Sequence, residues 1–213
     1  MSGIFISVEG GEGVGKSVFC AELSRRLKSL SLTVELTHEP GGTPMAQEIR
    51  KLFLNPIGDE VLDPLTEIFL VSAARAQHIS HKIRPWLKSG SWVISDRYYD
   101  STRVYQGRLG GLAPSVVEAV IMTSVNGMHP HVTFLLDCDT DTVMARLAKR
   151  HGDSDRNRFD GAAKDVQKKL RNSFCSIAKD SDRIVVLDAS QSPQQIVEEA
   201  VAVLKERGLL KTA

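Results

Sequence analysis

Short apolar runs alternate along this chain with longer stretches in which apolar residues recur every third or fourth position. Residues 4–8 (IFISV) form one such run and lead into a glycine-rich segment. Residues 18–32 then carry apolar side chains at helical spacing, with charge at Glu22, Arg25, Arg26 and Lys28. That order predicts strand, tight loop, helix. A second β-rich run at residues 33–37 (TVELT) stops at Glu39-Pro40-Gly41-Gly42, where proline and two glycines break regular structure. A short helix is expected over 44–54. A long one is expected over 64–88, with Leu65, Ile68, Phe69, Ala73, Ala76 and Ile79 broadly on one side and Ser89-Gly90 ending it. Further strands are expected at 92–95, 132–136 and 183–187, and helical patterns follow the last two at 140–150 and 193–205. Strands alternating with helices in this way imply an α/β fold whose five-stranded parallel sheet has right-handed crossovers and helices on its faces. The polar stretch HGDSDRNRFDG, residues 151–161, lies between two helices and reads as a flap or a solvated loop.

Composition narrows the class. With 213 residues, 42% hydrophobic and 25% charged, one α/β domain over residues 1–213 is expected. A net charge of +1, from 27 basic and 26 acidic residues, supplies no broad field for a nucleic-acid polymer or an anionic membrane, so any phosphate binding is local. Cys20, Cys138 and Cys175 are odd in number and widely spaced, which argues against a disulfide framework or a zinc site and fits the reducing cytoplasm. No apolar stretch approaches the ~20 residues that span a bilayer, and residues 1–5 lack the order of a secretory signal.

The strongest chemical signal is Gly10-Gly11-Glu12-Gly13-Val14-Gly15-Lys16-Ser17, a complete G-x-x-x-x-G-K-[ST]. Glycines let the backbone wrap a phosphate so that successive N–H groups and the following helix N-terminus point at it. Lys16 would reach the β- and γ-phosphates of ATP, and Ser17 would hold Mg²⁺. Asp96-Arg97-Tyr98 follows the 92–95 strand, where open parallel sheets place their ligands. Asp96 could hold a magnesium-bound water, and Arg97 could neutralise a second phosphate. The six histidines form no recognisable zinc-ligand set. His78 and His81, three apart on the long helix, read as solvated residues.

A phosphate loop alone serves kinases, switches and motors alike. The flanking segments decide more. VEGGEGVGKS (8–17), HEPGGT (38–43), EIRKLFL (48–54), SAARAQH (72–78), DRYYDSTRVYQG (96–107) and NRFD (157–160) together make the chain resemble the thymidylate kinase family. The resemblance implies a P-loop kinase fold with a short lid at about 151–161, and ATP-dependent phosphorylation of dTMP to dTDP on the way to dTTP. It also implies a homodimer. Residue by residue, it places Glu12 near the sugar 3′-hydroxyl, Glu39 by the acceptor site, and Arg50 and Arg97 on the acceptor phosphate. Arg75 would read the thymine, Thr102 and Gln106 would line the base edge, and Tyr105 would sit against the deoxyribose. Arg146 and Arg150 match positions near the adenine and its phosphates.

Three departures stand out. Val71 occupies the place of a common phenylalanine on the thymine wall, so a stacking contribution of about 0.5–1.5 kcal/mol is missing there. His38 replaces the usual arginine before Glu-Pro-Gly-Gly. In one branch of the family an arginine follows the acidic residue of the phosphate loop, where this chain has Gly13. Asn157-Arg158-Phe159-Asp160 resembles instead the branch in which lid arginines supply that charge, with Arg158 aligned and Arg156 a second candidate. The competing readings are a deoxynucleoside kinase, another monophosphate kinase, or a nucleotide switch, although the guanine-reading Asn-Lys-x-Asp string of a switch is absent.

Overall fold

The computed structural model describes residues 3–55, 57–58, 60–149 and 164–211. Five parallel strands, β1 (Phe5–Glu9), β2 (Val34–His38), β3 (Trp92–Asp96), β4 (Val132–Asp137) and β5 (Ile184–Asp188), form one sheet in the order β2-β3-β1-β4-β5. Central β1 is buried along its whole length, and β4 along all but its last residue, whereas the edge strands β2 and β5 mix buried with exposed positions. That is the pattern of a parallel sheet covered on both faces.

Helix α1 (Lys16–Ser29) packs with the C-terminal helix, residues Pro193–Glu206, on one face. There Phe19, Leu23, Leu27, Val197 and Val201 meet Ile6, Val8, Ile94 and Phe134. Opposite lie α2 (Pro44–Leu54), α3 (Pro64–His78), α4 (Arg84–Lys88), α5 (Tyr99–Thr102), α6 (Pro114–Val125) and α8 (Lys164–Lys179), whereas α7 (Thr140–Lys149) packs Val143 and Leu147 into the core on the α1 side; with the C-terminal helix as α9 these complete the order. Of these, α3 and α6 bury Ile68, Val117 and Ile121 against Phe5 and Val93.

Helix starts follow local chemistry. Thr43 accepts from Ala46 N at 3.1 Å, Asp63 accepts from Leu65 N at 2.8 Å, and Ser192 forms a reciprocal capping box with Gln195. In each case proline takes the first helical position, where its missing N–H costs nothing.

The long helix expected over 64–88 runs unbroken but is not α-helical throughout. A π-helical turn, Ile79–Ile83, separates α3 from α4, and a second one, Arg103–Leu109, follows α5. Nor does α3 bury the stripe the spacing suggested: Ile68 and Ile79 are buried, but Leu65 and Phe69 are exposed. His78, expected in solvent, is fully buried, while His81 is exposed. The face that α3 buries carries Ile68, Val71, Arg75 and His78 instead.

Order reverses around β1, whose neighbours β3 and β4 arrive from opposite directions. The crevice beyond the carboxyl ends of these strands is the place where such sheets bind ligands.

Candidate active site

Beyond the end of β1, residues 10–15 turn into α1. Lys16 is buried inside the turn and donates from Nζ to the Gly11 carbonyl at 2.6 Å. Burial, then the positive charge of Arg97, lowers the Lys16 pKa. Ser17 Oγ donates to Asp96 Oδ2 at 2.7 Å, joining the first turn of α1 to the end of β3. Gly13 has φ 75°, and a Cβ built there would lie 2.9 Å from the Leu147 side chain. An arginine at this position would strain the backbone and press on α7. Arg146, expected near adenine, donates to the carbonyls of Val14 at 3.2 Å and Ala189 at 2.9 Å, bracing the back of the loop. Arg150, Arg156 and Arg158 lie outside the described residues.

Next to the loop opens a cleft. The structure brings Glu12, Glu39, Arg50, Val71, Arg75, Arg97, Thr102, Tyr105 and Gln106 together around it. They come from the glycine-rich loop, the turn after β2, α2, α3, the residue after β3, α5 and the π-helical turn that follows α5. Arg97 follows β3 with φ 72°, a left-handed conformation uncommon outside glycine. Its guanidinium donates to Glu12 at 2.6 Å, to the Gly10 carbonyl at 3.0 Å, to Ser101 Oγ at 3.1 Å and to the Tyr105 hydroxyl at 3.3 Å. Burial opposes its charge, but Glu12 and Tyr105 outweigh that and hold its pKa above the ordinary arginine value. Tyr105 also donates to Glu12 at 3.2 Å, and burial raises its pKa. Arg50 donates to the Pro40 carbonyl at 2.9 Å.

A buried chain of polar groups forms the far wall. Arg75 donates from Nε to Glu39 at 2.8 Å and from Nη2 to Thr102 at 2.9 Å. Glu39 also meets His78 Nδ1 at 3.2 Å, and His78 Nε2 meets Thr37 Oγ1 at 2.6 Å. Gly42 makes this packing possible, since a Cβ there would lie 2.3 Å from the His78 ring. Arg75 Nη1, though buried, has no hydrogen-bond partner among the described residues. It is a fixed donor in a cleft whose other cations, Arg50 and Arg97, are part-exposed. Gln106 donates to Glu67 at 3.0 Å at the same end. His38, standing where an arginine was expected, has its pKa lowered by burial and then by Arg50.

Sequence reading missed four contributors. Phe53 and Leu54, from the last turn of α2, line the cleft alongside Val71. His78 orients Glu39. Glu9, the last residue of β1, is buried and bonded to Tyr98 and Ser101. Only Glu9 left a trace in sequence: an acid ending an apolar strand immediately before the loop.

A phosphate loop at the end of the central strand, beside a cleft walled by arginines from β3, α2 and α3, defines a P-loop nucleotide phosphotransferase. A sequence profile described as thymidylate kinase matches residues 8–200. Among proteins named thymidylate kinase, one from Bradyrhizobium diazoefficiens is 37% identical over 206 residues, covering 96% of this chain and 90% of its own. One from Bradyrhizobium sp. is 40% identical over 195 residues, covering 91% and 86%, and one from Marinomonas sp. is 39% identical over 210 residues, covering 97% of each. The chain belongs to the thymidylate kinase family.

Proposed function

We propose that this chain transfers the γ-phosphoryl group of ATP to dTMP, with ATP on the loop of residues 10–17 and dTMP in the adjoining cleft. The observation that carries this reading is the shared wall. Arg97 and Glu12 belong to the cleft, yet Arg97 also bonds the Gly10 carbonyl of the loop, so two phosphates held there would meet. Arg50 and Arg97 suit the acceptor phosphate as planar donors. Arg75 Nη1 suits a carbonyl oxygen of thymine. Tyr105, fixed through its hydroxyl, faces the sugar and disfavours a ribose.

A phosphate monoester is already nucleophilic near neutral pH, so its oxygen attacks the γ-phosphorus in line without a strong base. Positioning and charge neutralisation by Lys16, Arg97 and Arg158 do the remainder. Ser17 and Asp96 present a hydroxyl and a carboxylate oxygen 2.7 Å apart. Among the described residues no cluster of three or more His, Cys, Asp or Glu forms a metal cage. This donor set fits Mg²⁺, which is commonly held by one or two carboxylates together with substrate phosphates. Bound there, Mg²⁺ would supply charge to the phosphates. No helix among the described residues is long and apolar enough to cross a membrane. We take residues 1–213 to work as one domain in the cytoplasm, with exposed Leu65, Phe69 and Met122 on α3 and α6 as the homodimer face.

A coupled assay of ADP release with dTMP, dUMP, dCMP, AMP and thymidine tests the reading. ADP release only with dTMP, and weakly with dUMP, is expected. Equal rates with thymidine would indicate a nucleoside kinase, and release without an acceptor would remove the transfer function.

A further inference from the structure

We propose that Glu9 is the positioning residue for Arg97, fixing its guanidinium between the phosphate loop and the acceptor cleft. This rests on the reading of Arg97 as a ligand of the acceptor phosphate. Glu9 is 1% exposed, and a carboxylate so deep is stable only if donors surround it. Its donors come from the residues that flank Arg97. Oε1 accepts from Tyr98 N at 2.8 Å and Ser101 N at 3.3 Å, and Oε2 accepts from Ser101 Oγ at 2.6 Å. The Ser101 hydroxyl in turn accepts from Arg97 Nη1 at 3.1 Å. One residue earlier on the same strand, the Val8 carbonyl accepts from Arg97 N at 2.8 Å.

The end of β1 therefore grips Arg97 twice, through its backbone and, by way of Ser101, through its side chain. The grip matters because φ 72° is a conformation a non-glycine residue holds only when its surroundings over-determine it. Glu9 is also bonded directly to Gly10, the first residue of the loop. Spacing between the donor loop and the acceptor arginine is thus set through a single rigid residue. A group that acts by geometry alone can still command large effects, since misplacement by about 1 Å can cost about 10²-fold in rate.

The test is steady-state kinetics of Glu9→Ala, Glu9→Gln and Ser101→Ala, each in wild-type and Arg97→Ala backgrounds, varying dTMP and ATP separately. Glu9→Ala should raise the KM for dTMP about tenfold or more while the KM for ATP moves within about twofold. Glu9→Gln keeps an acceptor oxygen for both amides and should recover most of the loss. In the Arg97→Ala background, Glu9→Ala should add less than about twofold, because the residue it positions is gone. Ser101→Ala removes only the hydroxyl relay. It should show the same dependence on Arg97 at smaller amplitude, and it carries the test if Glu9→Ala does not fold. Full additivity of either variant with Arg97→Ala, or an equal rise in the KM for ATP, would overturn the proposal. An Arg97→Ala variant with unchanged KM for dTMP would instead overturn the assignment of Arg97 itself.

Discussion

The phosphate loop and the acceptor cleft meet at Arg97, but they are built on opposite principles. The loop is backbone geometry: eight consecutive residues, with glycines where other residues would strain or collide, and one buried lysine. The cleft is side-chain geometry, assembled from residues as distant in sequence as Glu12 and Gln106. Its cations are tied in advance to partners, Arg75 to Glu39 and Arg97 to Glu12. Fixed guanidinia need no reorganisation when a charged ligand arrives. A phosphate is recognised in the same way in any nucleotide, so a contiguous motif suffices. Distinguishing one nucleotide from another requires donors held at set distances, and that takes the whole fold.

If the comparison is sound, the loop should fail in kcat and the cleft in KM. The largest effect belongs to Lys16→Ala. It should lower kcat by about 10³-fold or more with circular dichroism unchanged, since the charge removed acts on the transferring phosphates. A variant retaining more than a tenth of the wild-type kcat would sink the assignment of the loop. On the cleft side, Arg75→Met should lower stability by about 3–5 kcal/mol, because Glu39 stays buried with its main partner gone. The milder Arg75→Lys should raise the KM for dTMP about ten- to a hundredfold with less change in kcat. Parallel losses in kcat and KM would blur the distinction between the two regions. Gly13 leaves the loop without an arginine of its own, so Arg158→Ala should lower kcat by about 10²-fold while the KM for dTMP changes little. A kcat within threefold of wild type would end that role.

The junction between the regions can be tested by pH. Burial, and then the nearby carboxylate of Asp100, push the Glu9 carboxyl up from 4.5 to about 7, against the opposing influence of Ser101, Arg97 and Tyr98. An acid raised on folding stabilises the fold fully below its unfolded value and loses that contribution as pH rises through the folded one. Between pH 4.5 and 7 the loss from this group is about 3 kcal/mol. Glu9→Gln cannot ionise. Its melting temperature relative to wild type should therefore climb as the buffer goes from pH 5 to pH 8, and a constant difference across that range would show that Glu9 does not titrate there.

The same contrast explains what the sequence could show. The strand runs, the loop and the Thr-Pro, Asp-Pro and Ser-Pro helix starts are local, and each can be read within a window of a few residues. Arg97 is marked by its place just past the end of β3, but Arg50 and Arg75 were named only because whole segments resembled a family; nothing in their own neighbourhoods marks them. His78 illustrates the limit. It lies three residues before His81 on what looks like one helical face, yet it is buried against Glu39 and Thr37 while His81 is exposed. Its burial depends on Gly42 bringing a distant loop onto the ring, and the π-helical turn begins at the very next residue. Neither feature has a periodicity to detect.

The smallest effect asks whether the cleft, unlike the loop, tolerates moving a part. Sequence alone suggested that Val71→Phe would restore a missing aromatic and lower the KM for dTMP. The structure complicates this, because Phe53 from α2 already lines the same cleft as Val71, and both are buried. An aromatic wall is thus present, but it is supplied by a different helix. A second ring at position 71 would compete with Phe53 for the same volume, and overpacking costs about 1–3 kcal/mol. Val71→Phe alone should therefore leave the KM unchanged or raise it, while Phe53→Leu alone should raise it about two- to tenfold by removing the stacking contribution of about 0.5–1.5 kcal/mol. The double variant Phe53→Leu/Val71→Phe carries one ring again, on α3, and should return the KM toward wild type. Such non-additivity is expected only of side chains that share a space. If the two substitutions simply add, Phe53 does not serve as the thymine wall, and Val71→Phe should then lower the KM on its own.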